Sequence, residues 1–150
     1  MNLKQIQKLQ EILPEINKQY HRQVYVHDSK DGKTVLGFSE QHDIPYINLN
    51  IEFSRLLKGI PQTRRLYKVT DFFNKTINSY TENTICIDYY ELLFDPSLSV
   101  NPFDLFKNAS RNKTLVIALR GKLTEQEFIH AEPVHPEYTK FPIHGTLVIK

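Results

Sequence analysis

The sequence has little cysteine and no long hydrophobic run. Its single cysteine, Cys86, excludes an internal disulfide and a cysteine-rich zinc site. No apolar run reaches the length of about 18 residues that a bilayer-spanning helix needs. The residues after Met1 are polar and helix-patterned, unlike the basic and apolar regions of a secretion signal. We therefore expect a cytoplasmic protein without a membrane partner.

Charge of one sign is also not in excess. The 19 basic and 17 acidic side chains give a formal net charge of +2, which does not by itself indicate a nucleic-acid or membrane partner. Two short basic clusters, at residues 64–68 and 111–113, leave direct DNA binding open. A solvated surface explains both clusters more simply. We see no internal repeat or low-complexity tract, and the length of 150 residues suits one domain, residues 1–150.

The chain does contain an alternation of helical and strand patterns. An amphipathic pattern over residues 3–19 predicts an N-terminal helix, within residues 1–20, that packs on the core. Residues 121–142 carry three prolines and are interpreted as a surface connection with one helical turn. Two of the predicted strands are apolar throughout, which is typical of a parallel sheet covered on both faces. The predicted strands are 23–26, 45–49, 84–88, 114–119 and 146–149, and further helices begin near residues 49, 69 and 103.

The stretch His27–Thr34 resembles a phosphate-binding P-loop. It ends in Gly32-Lys33-Thr34, as the pattern G-x-x-x-x-G-K-[ST] does. In such a loop, backbone N–H groups at a helix N-terminus surround the phosphates, the lysine reaches the β and γ groups, and the hydroxyl ligates Mg²⁺. The predicted nucleotide-binding residues are therefore His27, Asp28, Ser29, Lys30, Asp31, Gly32, Lys33 and Thr34.

Two features of this loop oppose nucleotide binding. His27 stands where the pattern has glycine, whose conformational freedom allows a sharp exit from the strand. Asp28 and Asp31 bring carboxylates toward the phosphate position, so that with Lys30 and Lys33 the formal charge of the loop is zero. A polar turn that binds nothing is the alternative interpretation.

A second motif lies about 55 residues further along the chain. Residues 85–88, Ile-Cys-Ile-Asp, have the Walker B arrangement, a buried strand with an acid at its carboxyl end. Asp88 would hold Mg²⁺ through water beside the Thr34 hydroxyl, and ATP and Mg²⁺ are the expected cofactors. The two motifs converge in space if their strands are neighbours in a parallel sheet. Together they predict an α/β P-loop NTPase fold of the ASCE/AAA-like type, a three-layer sandwich with a mainly parallel five-stranded sheet and no lid domain.

Two further residues are candidates for catalysis. Glu91 would activate the attacking water, although a structural role at a helix start is an equal alternative. Arg120 follows the predicted strand 114–119 and would stabilise charge on the γ-phosphate.

Five segments extend these motifs: Ile47–Asn50, Ser54–Leu57, Asp88–Pro96, Ser110–Thr114 and Ala131–Tyr138. With them, the chain resembles the BrxF family, the small P-loop proteins of type 3 BREX phage-exclusion systems. Members of that family carry a glycine-richer loop than this chain does.

The resemblance implies a bacterial anti-phage component that acts with a large ATPase, a methyltransferase and a phosphatase-like protein. Without a lid, bound nucleotide would lie exposed unless another subunit covered it, so a homo-oligomer is expected. Two functions stay open. The first is an ATP-binding subunit, with hydrolysis undecided. The second is a catalytically inactive scaffold or adaptor that assembles the defence complex, with DNA contact as a variant.

Overall fold

Three of the described helices begin directly after a capping asparagine. The computed structural model describes residues 2–131, 139–142 and 146–150. Asn2, Asn48 and Asn101 each accept a hydrogen bond from a backbone N–H of the first turn that follows them. The helices are α1 (Leu3–Ile16), α2 (Thr34–His42), α3 (Leu49–Leu57), α4 (Val69–Asn78) and α5 (Pro102–Ala109), with short 3₁₀ turns at Gln62–Tyr67, Glu91–Phe94 and Pro96–Leu98.

Strands occupy the β-branched and apolar segments between the helices. Five of them form one sheet in the order β2-β3-β4-β1-β8, and every neighbouring pair is parallel. The predicted α/β architecture with a mainly parallel five-stranded sheet is therefore confirmed. The strands are β1 (Gln23–His27), β2 (Tyr46–Asn48), β3 (Thr84–Asp88), β4 (Thr114–Leu119), β5 (Lys122–Leu123), β6 (Glu127–His130), β7 (Thr139–Pro142) and β8 (Val148–Ile149).

Helices cover both faces of this sheet. Successive side chains of a strand point to opposite faces, so Tyr25 belongs to one buried cluster and its neighbours Val24 and Val26 belong to another. Helices α3, α4 and α5 pack on the face of Tyr25, and α1 and α2 pack on the other face. The arrangement is compatible with a three-layer sandwich. The buried helix residues include Phe53, Phe73 and Phe106 on the first face and Ile6, Leu9, Val35 and Phe38 on the second.

The segment after β4 differs from its prediction. In the part of residues 121–142 that the structure describes, β5, β6 and β7 form a three-stranded antiparallel sheet and not a surface connection. Phe128 of β6 is buried against Phe103, and Phe141 of β7 stacks on the same ring at 3.9 Å between centroids. The prolines of this segment favour a surface connection, whereas these aromatic side chains provide the apolar surface that packs the strands on the core. From residue 132 onward, the Ala131–Tyr138 segment of the family resemblance lies outside the described residues.

The topology decides which residues meet at the carboxyl edge of the sheet. The strand that leads into the loop, β1, is not adjacent to the strand that ends in Asp88, because β4 lies between them. The two motifs were expected to converge if their strands were neighbours, and the strands are not neighbours. Arg120, the residue after β4, stands between them instead. Among the described residues, no helix is long and apolar enough to cross a membrane.

Replacing Phe128 with alanine tests the packing of the small antiparallel sheet. The substitution removes a fully buried ring from the main core, so the free energy of unfolding should fall by about 3 to 5 kcal/mol. Gln126→Ala, in the exposed turn before β6, is the matched control and should change it by less than about 0.5 kcal/mol. Urea unfolding measures both values, and equal small effects would show that β6 does not pack on the core.

Candidate functional site

Three charged side chains meet where three parallel strands end. Asp28 follows β1, Asp88 is the last residue of β3, and Arg120 follows β4. The carboxyl ends of parallel strands form the edge at which such sheets bind ligands. The sheet therefore brings together the loop, the predicted Walker B acid and the predicted charge-stabilising arginine at one edge.

Arg120 and Asp88 form a two-pronged ion pair. The Nε atom of Arg120 donates to Oδ1 of Asp88, and Nη2 donates to Oδ2, both at 2.8 Å. The Asp88 carboxylate is fully buried, and the arginine side chain is 8% exposed. The hydrogen bonds to Asp88 raise the pKa of Arg120 above its usual value. Bidentate geometry and burial make this a strong, charge-assisted contact.

Two further donors hold the Asp88 carboxylate. The Tyr46 hydroxyl donates to Oδ2 at 2.7 Å, and the backbone N–H of Tyr89 donates to Oδ1 at 2.8 Å. Tyr89 has a φ of 47°, in the left-handed region, and its ring lies under the Arg120 guanidinium at 4.4 Å. A non-glycine residue adopts this φ at a cost, which the surrounding contacts offset. Both oxygens of Asp88 are thus engaged by the protein itself.

Arg120 also closes the loop between β1 and α2. Its Nη1 donates to the carbonyl oxygen of Ser29 at 2.7 Å, and Nη2 donates to that of Gly32 at 2.8 Å. The Lys30 carbonyl lies 3.3 Å from Nη1. The loop therefore presents carbonyl oxygens to this guanidinium, whereas a phosphate-binding loop presents N–H groups to its ligand.

The Asp28 carboxylate lies inside the loop at the start of α2. Its Oδ2 accepts a hydrogen bond from the backbone N–H of Thr34 at 2.9 Å and lies 3.7 Å from Nη2 of Arg120. The residue is only 4% exposed. It packs so closely against Gly32 that a Cβ atom there would overlap Oδ1 of Asp28. Any larger residue at position 32 would therefore require the Asp28 carboxylate to move.

The remaining loop residues point in different directions. The Thr34 hydroxyl is buried and accepts a hydrogen bond from the backbone N–H of Asn2, at the start of α1. His27 lies within hydrogen-bond distance of the Gly121 carbonyl through Nε2, at 3.0 Å. Lys33 is exposed, and within the described part of the chain its ammonium group has no partner. The other predicted contacts, Ser29, Lys30 and Asp31, are exposed as well.

Glu91 is held at the first position of a short 3₁₀ turn. The side-chain amide N–H of Asn50 donates to Oε2 of Glu91 at 2.7 Å. The side-chain oxygen of Asn50 accepts from the backbone N–H of Leu92 at 2.9 Å. These contacts link the predicted catalytic acid to the start of α3. They match the structural alternative for Glu91, while its role with an attacking water stays a prediction.

Two cavities flank the loop. A groove of about 800 Å³ runs between the outer side of the loop and the Tyr89–Glu91 segment, and a smaller one of about 440 Å³ lies between the loop and the N-terminus of α1. Small-molecule sites commonly have about 300 to 1,000 Å³. The space next to the loop is therefore large enough for a ligand, although the interior of the loop is filled.

The arrangement does not fit a Mg²⁺-bound nucleotide. The Asp28 carboxylate occupies the N-terminus of α2, where a P-loop would hold a phosphate. The predicted metal ligand Asp88 is paired with the Arg120 guanidinium. The hydroxyl of Thr34 already accepts from the N-terminus of α1. Within the described residues, no group of three or more His, Cys, Asp or Glu side chains is placed to hold a metal ion. We therefore derive no reaction step through Mg²⁺ or ATP.

Three residues of this site were not predicted from the sequence. Tyr46 holds Asp88, Asn50 holds Glu91, and Tyr89 supports Arg120. Each acts across elements that are distant along the chain, so no local spacing could reveal the contact. The one local signal is that Tyr89 and Tyr90 separate Asp88 from Glu91 in the sequence.

The two basic clusters have different surroundings. Arg64 and Lys68 are exposed around the 3₁₀ turn Gln62–Tyr67, as a solvated surface requires. Lys113 instead donates to the carbonyl oxygens of Tyr80 and Glu82, at 2.7 and 2.6 Å. This second cluster therefore has a structural use, and DNA contact stays a prediction.

Comparison with protein-family models, curated proteins and solved structures found no match for this chain.

Removing the arginine should destabilise the fold strongly. Arg120→Met leaves the buried Asp88 carboxylate without its counter-charge, so the free energy of unfolding should fall by about 3 to 5 kcal/mol. Adding Asp88→Leu should recover part of this loss, because it removes one of the two buried carboxylates that the guanidinium neutralises and leaves Asp28 as the other. Arg55→Met, at a 3.8 Å surface pair with Glu52, is the control and should cost under about 1 kcal/mol. If Arg120→Met lowers the free energy of unfolding as little as Arg55→Met does, the strong buried pair between Arg120 and Asp88 is contradicted.

The stability that the Tyr46 hydroxyl contributes should be complete below about pH 10 and should decline above it. Burial, and then the hydrogen bond to Asp88, raise the pKa of Tyr46 in the folded protein above its usual value. Such a group contributes its full stability below the unfolded pKa of about 10 and loses it as the pH rises toward the folded pKa. Urea unfolding of the wild type and Tyr46→Phe should give a difference that shrinks by about 1.4 kcal/mol per pH unit above pH 10. A difference that stays constant with pH would contradict this assignment.

Proposed function

We propose that the chain is a P-loop NTPase-like core that serves a bacterial anti-phage assembly of the BREX type as a scaffold or adaptor, without hydrolysing ATP. The observation that supports this proposal is the set of contacts within the site. The residues that would bind phosphate and metal bind one another instead: Asp28 to the N-terminus of α2, and Arg120 to Asp88.

The P-loop-like part of the proposal has separate support. A strand leads into the Gly32-Lys33-Thr34 turn, a helix starts at Thr34, and a buried strand delivers Asp88 to the same edge. The five-stranded parallel sheet with helices on both faces is compatible with the ASCE-type core that the two motifs predict. The defence role rests on the resemblance to the BrxF family, which also implies the methyltransferase, the large ATPase and the phosphatase-like protein as partners.

A scaffold needs a rigid core more than it needs a reactive site. The buried Arg120–Asp88 pair ties together the ends of three strands and the loop, and in the part of the chain that the structure describes every buried side-chain nitrogen and oxygen has a hydrogen-bond partner. Fully satisfied polar networks of this kind favour one conformation over its competitors. The edge is therefore better suited to holding shape than to exchanging ligands.

ATP binding is the second candidate. It is favoured by Lys33, whose exposed ammonium group is available at the end of the loop, and by the groove of about 800 Å³ beside the loop. Binding would require Asp28 to leave the N-terminus of α2 and the loop carbonyls to turn away from Arg120. A second copy of the chain that covers the groove would keep the nucleotide from solvent.

One substitution separates the two candidates. Lys33→Ala should leave phage protection intact if the chain is a scaffold, since no phosphate then depends on the lysine. Lys8→Ala, on an exposed side of α1, controls for expression and folding. Protection is measured as plating efficiency at matched protein levels in cells that carry the complete defence system.

A parallel titration of the purified protein with a fluorescent ATP analogue and Mg²⁺ should show no saturable binding at millimolar nucleotide. Saturable binding that Lys33→Ala abolishes, together with loss of protection in the same variant, would contradict the scaffold and favour the ATP-binding subunit.

A further inference from the structure

The most unusual feature of the site is that side chains of the protein, Asp28 of the loop and Arg120 after β4, occupy the positions of both a phosphate and a metal ion. We propose that Asp28 is an internal competitor for an oxyanion and that Arg120 is its built-in counter-cation, so that the loop contains a latent phosphoryl-binding site which the protein holds shut. This inference rests on the P-loop-like core of the proposed function, but not on the scaffold role.

The position of Asp28 carries the first step. The N-terminus of a helix has backbone N–H groups without intrahelical partners and a partial positive charge, both of which attract anions. In α2 this end has no capping side chain at Lys33, and the N–H of Thr34 is satisfied by Asp28, from six residues earlier. The Asp28 carboxylate therefore already accepts from the Thr34 N–H, the donor that an incoming phosphoryl oxygen would need.

The fit of Asp28 against Gly32 carries the second step. Because the Asp28 carboxylate lies against Gly32 and already accepts from the Thr34 N–H, an oxyanion that used the same N–H would meet this carboxylate. A phosphoryl group must displace the side chain to reach the N–H of Thr34. The two anions thus compete for one donor, and their charges repel each other.

The contacts of Arg120 carry the third step. This guanidinium joins Asp88 to the carbonyl oxygens of Ser29 and Gly32, so it holds the loop with its carbonyls turned toward the arginine. It lies 3.7 Å from Asp28 as well. One cation therefore neutralises both buried carboxylates, and the loop cannot turn its N–H groups toward a ligand while these contacts last.

A purely structural role for Asp28 is the competing explanation. In that case the carboxylate only caps α2, and its removal weakens the fold without creating a site. The two explanations differ in what a variant without the carboxylate binds. They also differ in whether added oxyanion takes over the N–H of Thr34.

The test compares Asp28→Ala and Asp28→Asn with Asp31→Ala, using inorganic triphosphate and a fluorescent ATP analogue as the probes. Asp31 is exposed, so its substitution removes the same charge from the same loop without emptying the loop. Calorimetry should show that Asp28→Ala binds triphosphate about tenfold or more tightly than the wild type does, the factor that corresponds to one charge-assisted hydrogen bond. Asp31→Ala should gain less than about fivefold, as expected for an exposed charge.

Asp28→Asn guards against a folding defect, because it keeps the shape of the side chain and loses only its charge. Its affinity for triphosphate should lie between those of the wild type and Asp28→Ala. Affinities of both Asp28 variants that do not exceed that of Asp31→Ala would overturn the proposal.

A second measurement reports on the loop without depending on the nucleotide. Hydrogen exchange of the Thr34 amide should be slow in the wild type, faster in Asp28→Ala, and slow again when triphosphate is added to the variant. Exchange that is equally slow in wild type and variant would also overturn the proposal.

The failure of this proposal and the failure of the proposed function give different results. If Lys33→Ala abolishes phage protection while Asp28→Ala gains triphosphate affinity, the scaffold role is refuted and the latent site stands. If protection survives Lys33→Ala and Asp28→Ala gains nothing over Asp31→Ala, the latent site is refuted and the scaffold stands.

Discussion

The bidentate ion pair between Arg120 and Asp88 is the interaction on which the rest of the site depends. It buries two charges at the carboxyl edge of the sheet, where either charge alone would destabilise the fold. Because the same guanidinium also binds the carbonyls of Ser29 and Gly32, the position of the acid and the conformation of the loop are linked. A change in one of them requires a change in the other.

This constraint explains how a chain with P-loop-type motifs can lack a site that fits a nucleotide. The sheet brings the loop, the acid and the arginine to one edge, as parallel topology requires. At that edge, however, the positive and negative groups pair with one another, since β4 stands between β1 and β3 and places Arg120 within reach of both strand ends. The positions of a metal ion and a phosphate are thereby filled by an arginine and an aspartate. This pairing is the observation that supports the proposed scaffold role.

Much of the fold could be predicted from the sequence because its signals are local. Period-2 and period-3.6 apolar patterns and the continuous apolar runs of β3 and β4 located most of the elements of the main sheet and its helices. The antiparallel sheet of β5 to β7 was missed, since prolines suggested a surface connection and the burial of Phe128 depends on α5. In the site, the charge of Asp28 was recognised as unfavourable for phosphate, but its burial inside the loop was not. That burial follows from the space at Gly32 and from Arg120, which lies some 90 residues away along the chain.

The most direct measurement of the central claim is a crystal structure of the wild-type protein grown with ATP and Mg²⁺. The account predicts that electron density will show Asp28 against the Thr34 N–H and Arg120 on both oxygens of Asp88, with no nucleotide inside the loop. Triphosphate density cradled by residues 27–34, with a metal ion between Thr34 and Asp88, would contradict it.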